Sequence, residues 1–249
     1  MLVRNTCKYF TTLTLCFFAT FSAYAQELPA GNLIVTTACS ISEGYTVEQV
    51  IEEARSIDIA DDGPNLIFYR YPIASNGAPS NRLMRAVYWQ NMEHWASNSG
   101  PLGGGAARLN EMLSCENTNR TFNNNWNVGS GGDAYAGGEN SQSLVAARPC
   151  LAAPGTTVQQ FYSELTNFAN MYRDQGDTTL MQLSQRFLGP RTDIEMGTGF
   201  LIRTIGEDAA GLARRFDMGA PGVGTPDGPI DVTCGDPSLF MSYVAHWGL

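Results

Sequence analysis

Few residues in this chain have the types and spacing that chemistry needs. There are two histidines, His94 and His246. His94 sits in Trp89-Gln90-Asn91-Met92-Glu93-His94-Trp95, beside two indoles and a carboxamide. An imidazole titrates near neutrality and can carry a proton or ligate a metal, so His94, Trp89 and Asn91 are the candidate catalytic residues. His246, close to the C-terminus, reads as a terminal-strand residue. Paired acids suggest general acid–base work. Adjacent helical acids point in different directions, however, so Glu52-Glu53 is a solvated face. Asp61-Asp62-Gly63-Pro64 has turn composition. Asp193 and Glu195, two apart near strand ends, stand as candidate ligand contacts. Tyr69 and Tyr71 alternate with Phe68 and Arg70, while Tyr88 and Trp89 take opposite faces of the next strand. An aromatic-lined pocket there would suit a small apolar or aromatic ligand, which makes Tyr69, Tyr71 and Tyr88 binding candidates. The alternative is that these rings fill a core between sheets.

What is missing narrows the choice. Lys8 is the only lysine in the sequence, and it falls in a segment expected to be removed. Schiff-base lysines, P-loop lysines and Ser-Lys dyads are therefore excluded from the mature chain. No G-x-S-x-G elbow, H-E-x-x-H motif or dinucleotide fingerprint occurs. The formal net charge of −9 argues against nucleic-acid binding, which needs clustered cations.

Residues 1–25 read as a secretory signal peptide. Arg4 and Lys8 form a basic start, Phe10 to Phe21 is largely apolar, and Ala23-Tyr24-Ala25 supplies a small-x-small cleavage pattern. No later stretch has the length to span a bilayer. The expected product is exported, periplasmic or extracellular, without a membrane span. Four cysteines remain after cleavage: Cys39, Cys115, Cys150 and Cys234. In an exported chain they read as two disulfides with three open connectivities. They lack the short clips of a zinc site, so no metal is expected.

These candidates are positioned by a sequence that repeats itself. Asn32 to Cys39 and Ser143 to Cys150 are short apolar runs ending at a cysteine, at a fixed offset of 111 residues. In the same register Gly44/Gly155, Thr46/Thr157, Val47/Val158, Gln49/Gln160 and Glu53/Glu164 coincide. A fixed offset of this kind signals duplication. Thr46-x-x-Gln49 and Thr157-x-x-Gln160 are capping boxes that open helices. Strand-like runs follow at Leu66–Tyr71 and Leu180–Leu188, then Leu83–Gln90 and Gly199–Thr204. Helical stretches come next, at Asn91–Ala96 with Ala106–Leu113 and at Glu207–Asp217. Thr121–Val128 and Leu239–Trp247 are the last extended pieces.

The order in each copy is β-α-β-β-α-β, the split βαβ of ferredoxin-like folds. In that topology the end of the first strand lies near the start of the fourth. This pairs Cys39 with Cys115 and Cys150 with Cys234, each closing a loop worth about 4–5 kcal/mol. The expected organisation is thus signal peptide 1–25, repeat one 26–128, a glycine-rich flexible linker 129–142 and repeat two 143–249. The fold class is α+β: two tandem ferredoxin-like repeats with antiparallel sheets.

The Cys-x4-Gly-x-Thr-Val starts at Cys39 and Cys150, with Cys115 and Cys234 closing each copy, give the sequence a resemblance. It resembles a group of exported bacterial proteins of uncharacterised activity, with tandem domains of the dimeric α/β-barrel type. That resemblance implies two sheets packed face to face as a pseudo-dimeric α/β barrel, with a cavity between sheet and helices. The wider superfamily spans cofactor-free monooxygenases, haem-degrading enzymes and proteins without catalysis, so fold alone does not choose. Haem-degrading members use a histidine, a tryptophan and an asparagine, types that His94, Trp89 and Asn91 supply. The tryptophan-to-histidine spacing here is shorter, and the second copy offers Ile202 to Glu207 instead. The leading expectation is a disulfide-stabilised, non-catalytic module that binds a small molecule or a protein and needs no cofactor. The alternatives are a cofactor-free or haem-dependent oxygenase and a structural envelope protein without a pocket.

Overall fold

A computed structural model of the chain describes residues 27–75, 81–100, 106–129, 131–132, 134–190, 197–219 and 230–248. The segment expected to be a signal peptide, Asp193 and Glu195 lie outside the described residues. The elements follow the repeat. The first half contains β1 (Asn32–Ile41), α1 (Val47–Arg55), β2 (Leu66–Ala74) and β3 (Arg82–Trp89), then α2 (Met92–Asn98), α3 (Ala106–Met112), β4 (Leu113–Cys115) and β5 (Thr121–Val128). The second contains β6 (Gln142–Ala152), α4 (Val158–Arg173), β7 (Leu180–Leu188), β8 (Gly199–Ile205), α5 (Ala209–Asp217), β9 (Val232–Cys234) and β10 (Ser238–Trp247). Both capping boxes close. Thr46 and Thr157 each accept the N–H of the glutamine three residues on, and that glutamine's side chain accepts the threonine N–H in return.

The assembly of these elements corrects the expected fold. Two ferredoxin-like α/β sheets packed face to face are not what forms. The strands make one closed antiparallel β-barrel in the order β10-β2-β3-β1-β5-β7-β8-β6, and β6 returns to pair with β10. The short strands β4 and β9 are extra, pairing with β1 and β6. The physical reason lies at the strand edges. An open sheet leaves two rows of unpaired N–H and C=O groups, and here β5 finds β7 while β2 finds β10. Closure abolishes those edges.

Closure also changes what the interior must be. Inward-facing positions alternate with outward ones along every strand. Ile34, Phe68, Tyr88, Val145, Ile205 and Val244 form an apolar cluster, which shares the lumen with polar side chains. Outside, α1 and α3 cover β1 and β2, while α4 covers β5 and β7. The four cysteines form two disulfides, Cys39–Cys115 and Cys150–Cys234. Each joins register partners at the end of a barrel strand and its short companion.

The glycine-rich segment between the halves does more than link them. Tyr135 is 3% exposed and stacks on Phe68 at 4.7 Å. Its hydroxyl shares a 2.6 Å hydrogen bond with Ser242, and its N–H donates to the Gly206 carbonyl. The backbone there is left-handed, at φ 55°. Gly132 fits because a Cβ at that position would overlap the Thr179 carbonyl.

Candidate functional site

The outward faces of the two halves start from similar strands and end differently. Val35, Thr37, Arg85 and Val87 occupy the first-half positions that Ala146, Arg148, Ile202 and Thr204 occupy in the second, by offset and by ladder register. Over the second half this position is nearly filled, with about 90 Å³ remaining. Sixteen-residue α4 lays Phe168 and Tyr172 across it. The Arg215 guanidinium then stacks on Tyr172 at 3.1 Å and pairs with Asp177 at 2.5 Å. Over the first half, nine-residue α1 stops short, and a cavity of about 470 Å³ remains. That volume is in the range of small-molecule sites.

The floor of this cavity is β-sheet: Tyr69 on β2, Val35 on β1, and Arg85, Val87 and Trp89 on β3. The roof is Trp95 and Asn98 from α2 together with the 58–64 connection. Trp95 is held edge-on against Phe122 at 4.8 Å. Two guanidinium groups face each other across Asn117, whose side-chain oxygen accepts from Arg85 at 3.2 Å and from Arg120 at 2.9 Å. Arg85 also hydrogen-bonds the Tyr69 hydroxyl. The Nε atoms of both arginines are buried without a hydrogen-bond partner, and no ion pair among the described residues involves either group. Burial and then the like charge of Arg85 push the Arg120 pKa down. Burial raises the Tyr69 pKa, only partly offset by Arg85, so this phenol is neutral across the physiological range. The arrangement can therefore present cationic hydrogen-bond donors beside indole surfaces.

The sequence matches no protein-family model and no curated protein. Among solved structures, an anthrone oxidase-like protein is 12% identical over 89% of this chain and 93% of its own, with a TM-score of 0.47. A protein provisionally assigned as a monooxygenase from Fusobacterium nucleatum subsp. nucleatum is 8% identical over 88% and 94%, with a TM-score of 0.48. An aldoxime dehydratase is 10% identical over 86% and 82%, at 0.23. At these levels no similarity assigns an activity to this chain.

The residues singled out from sequence disperse. Trp89 and Tyr69 line the cavity, Tyr71 lines a separate groove beside Tyr45 and Tyr243, and Tyr88 points into the lumen. Asn91 is the N-cap of α2, accepting the His94 N–H at 2.8 Å. His94 packs edge-on against Trp89. Its Nδ1 accepts the Gln90 N–H, and its Nε2 lies 3.0 Å from the Asp62 carbonyl. Neither ring nitrogen is free for a haem iron, so these three residues do not fit that group, and His94 instead ties α2 to the cavity roof. Among the described residues no group of three or more His, Cys, Asp or Glu side chains could hold a metal ion. Sequence reasoning missed Arg85, Arg120 and Asn117. The available signal was arginine recurring in strand-like runs that carry no acid to balance it.

Proposed function

We propose that the first-half cavity binds a small aromatic molecule carrying an anionic group, its ring against Trp89 and Trp95 and its charge on Arg85 and Arg120. One observation carries this reading: the same position is filled by the chain itself in the second half and left open in the first, beside guanidinium groups with unmet donors. A buried donor without a partner costs about 1–3 kcal/mol, and a carboxylate meets such donors with charge-assisted, planar hydrogen bonds. The two disulfides support placing this binding module in an oxidising compartment outside the cytoplasm.

Titration of tryptophan fluorescence with sodium benzoate tests the proposal, with benzamide as the neutral comparator. Benzoate is expected to give a saturable change and benzamide a much weaker one. Replacing Arg85 with glutamine removes hydrogen bonds to a charged group, each worth about 1.5–3 kcal/mol. Benzoate binding should weaken roughly ten- to a hundredfold. Equal responses to the two probes, or no saturation with either, would overturn the reading.

A further inference from the structure

The barrel lumen holds a second cationic site, separate from the cavity above. None of the ten strands among the described residues contains an aspartate or glutamate, although the chain carries 24 acids. The strands carry six arginines: Arg70, Arg82, Arg85, Arg148, Arg186 and Arg203. Two of these are sealed inside. Arg70 on β2 is 2% exposed, and Arg203 on β8 is 1% exposed.

Both head chains of neutral hydrogen bonds. Arg70 Nη2 donates to the Tyr88 hydroxyl, which donates to Gln182 Oε1, whose Nε2 donates to Asn127. Arg203 Nη1 donates to Ser184 Oγ, which donates to Asn125 Oδ1, whose Nδ2 donates to Asn32. Each chain ends on an asparagine, and among the described residues neither reaches a carboxylate. Tyr135 and Ser242 close the wall beside Arg70. Arg70 Nε remains buried without a partner.

Among the described residues these two enclosed guanidinium groups meet only neutral dipoles and, for Arg70, the Phe68 ring at 5.8 Å, and a buried ion costs several kcal/mol unless an opposite charge offsets it. Burial lowers Arg203 to about 10, which still leaves it protonated at neutral pH. The nearby phenols supply no counter-charge there, since burial raises Tyr135. A cavity of about 530 Å³ opens at the Cys150–Cys234 end of the barrel, lined by Asn123, Ser184 and Arg186. Ser184, on its wall, is the residue that accepts from Arg203 at 2.5 Å.

We infer that the lumen takes up a small monovalent inorganic anion of the halide class, held by Arg70 and Arg203 and reached through the mouth at Cys150–Cys234. Its size class follows from the packing: neither arginine lines the large cavity, and Phe68, on which Tyr88 and Tyr135 pack, lies under the Arg70 guanidinium. The anion completes the fold electrostatically and has no part in ligand binding at Arg85.

Bromide is the direct probe. Crystals of the intact protein grown in sodium bromide should show anomalous scattering inside the barrel near Arg70 Nε. The thermal midpoint in sodium chloride should exceed that in sodium gluconate of equal ionic strength by a saturable shift of several degrees. Arg70→Met should abolish that difference if the variant folds, while the wild-type bromide experiment stands without it. Absence of bromide density from the lumen, or identical midpoints in the two salts, overturns the proposal.

Discussion

At the scale of single residues, the two histidines show how tertiary partners decide a side chain's role. His94 has its ring nitrogens engaged by Gln90 and Asp62, so its task is to fasten a helix to a connection. His246 is partly buried on β10, and desolvation lowers its pKa despite the opposing influence of Glu139 and a hydrogen bond with the Pro64 backbone. In the unfolded chain a histidine takes up its proton near pH 6.5; in the fold His246 does so only at lower pH. Below about 6.5 the unfolded state therefore binds more protons, and stability falls as the pH falls. His246→Gln should flatten the dependence of the urea midpoint on pH between about 5 and 7. An unchanged slope would remove His246 from the acid response. The imidazole was legible in the sequence, whereas its partners were not. Asp62 is remote along the chain and offers a backbone carbonyl, which no residue type announces. Arg85 and Arg120 were hidden for a related reason: an arginine in a strand says nothing of which face its neighbours leave empty.

At the scale of elements, the capping boxes were readable because both partners of each hydrogen bond lie within four residues of one another. Helix length beyond the cap was less so, and helix length is what separates the two halves. α4 runs on past the point where α1 ends, which brings Phe168 and Tyr172 over the sheet. The filling is locked by Arg215 and Asp177, both under a tenth exposed and paired at 2.5 Å. Asp177 also accepts from the Thr179 N–H and hydroxyl. Asp177→Asn leaves a buried guanidinium without its counter-charge, and breaking such a pair costs about 3–5 kcal/mol. Chemical denaturation should register that loss with no change in benzoate affinity, because the two positions lie over different halves. A loss below about 1 kcal/mol would mean that solvent reaches the pair.

At the scale of the whole molecule, β5 and β7 were legible at their full extent and the other long strands to within a few residues, but their closure was not. Whether an antiparallel edge stays open or finds another edge depends on pairings such as Leu66 with Trp247, between positions far apart in the chain. Local patterns carry no information about them. The connector was misread for the same reason: its glycines suggest slackness, yet Tyr135 is anchored in the lumen. Closure also sets an order on folding. β1 meets β3 and β6 meets β8 within their own halves, whereas β2 must wait for β10 and β5 for β7. Contacts between distant segments form slowly because chain entropy is lost before they repay it. Pulsed hydrogen exchange during refolding should therefore protect β1–β3 and β6–β8 amides before those of β2–β10; simultaneous protection would show a single cooperative closure. Until that last seam forms, two long, acid-free strand edges lie unpaired. The nascent protein is then open to pairing with its own copies, so a slower ring closure leaves a longer window for aggregation.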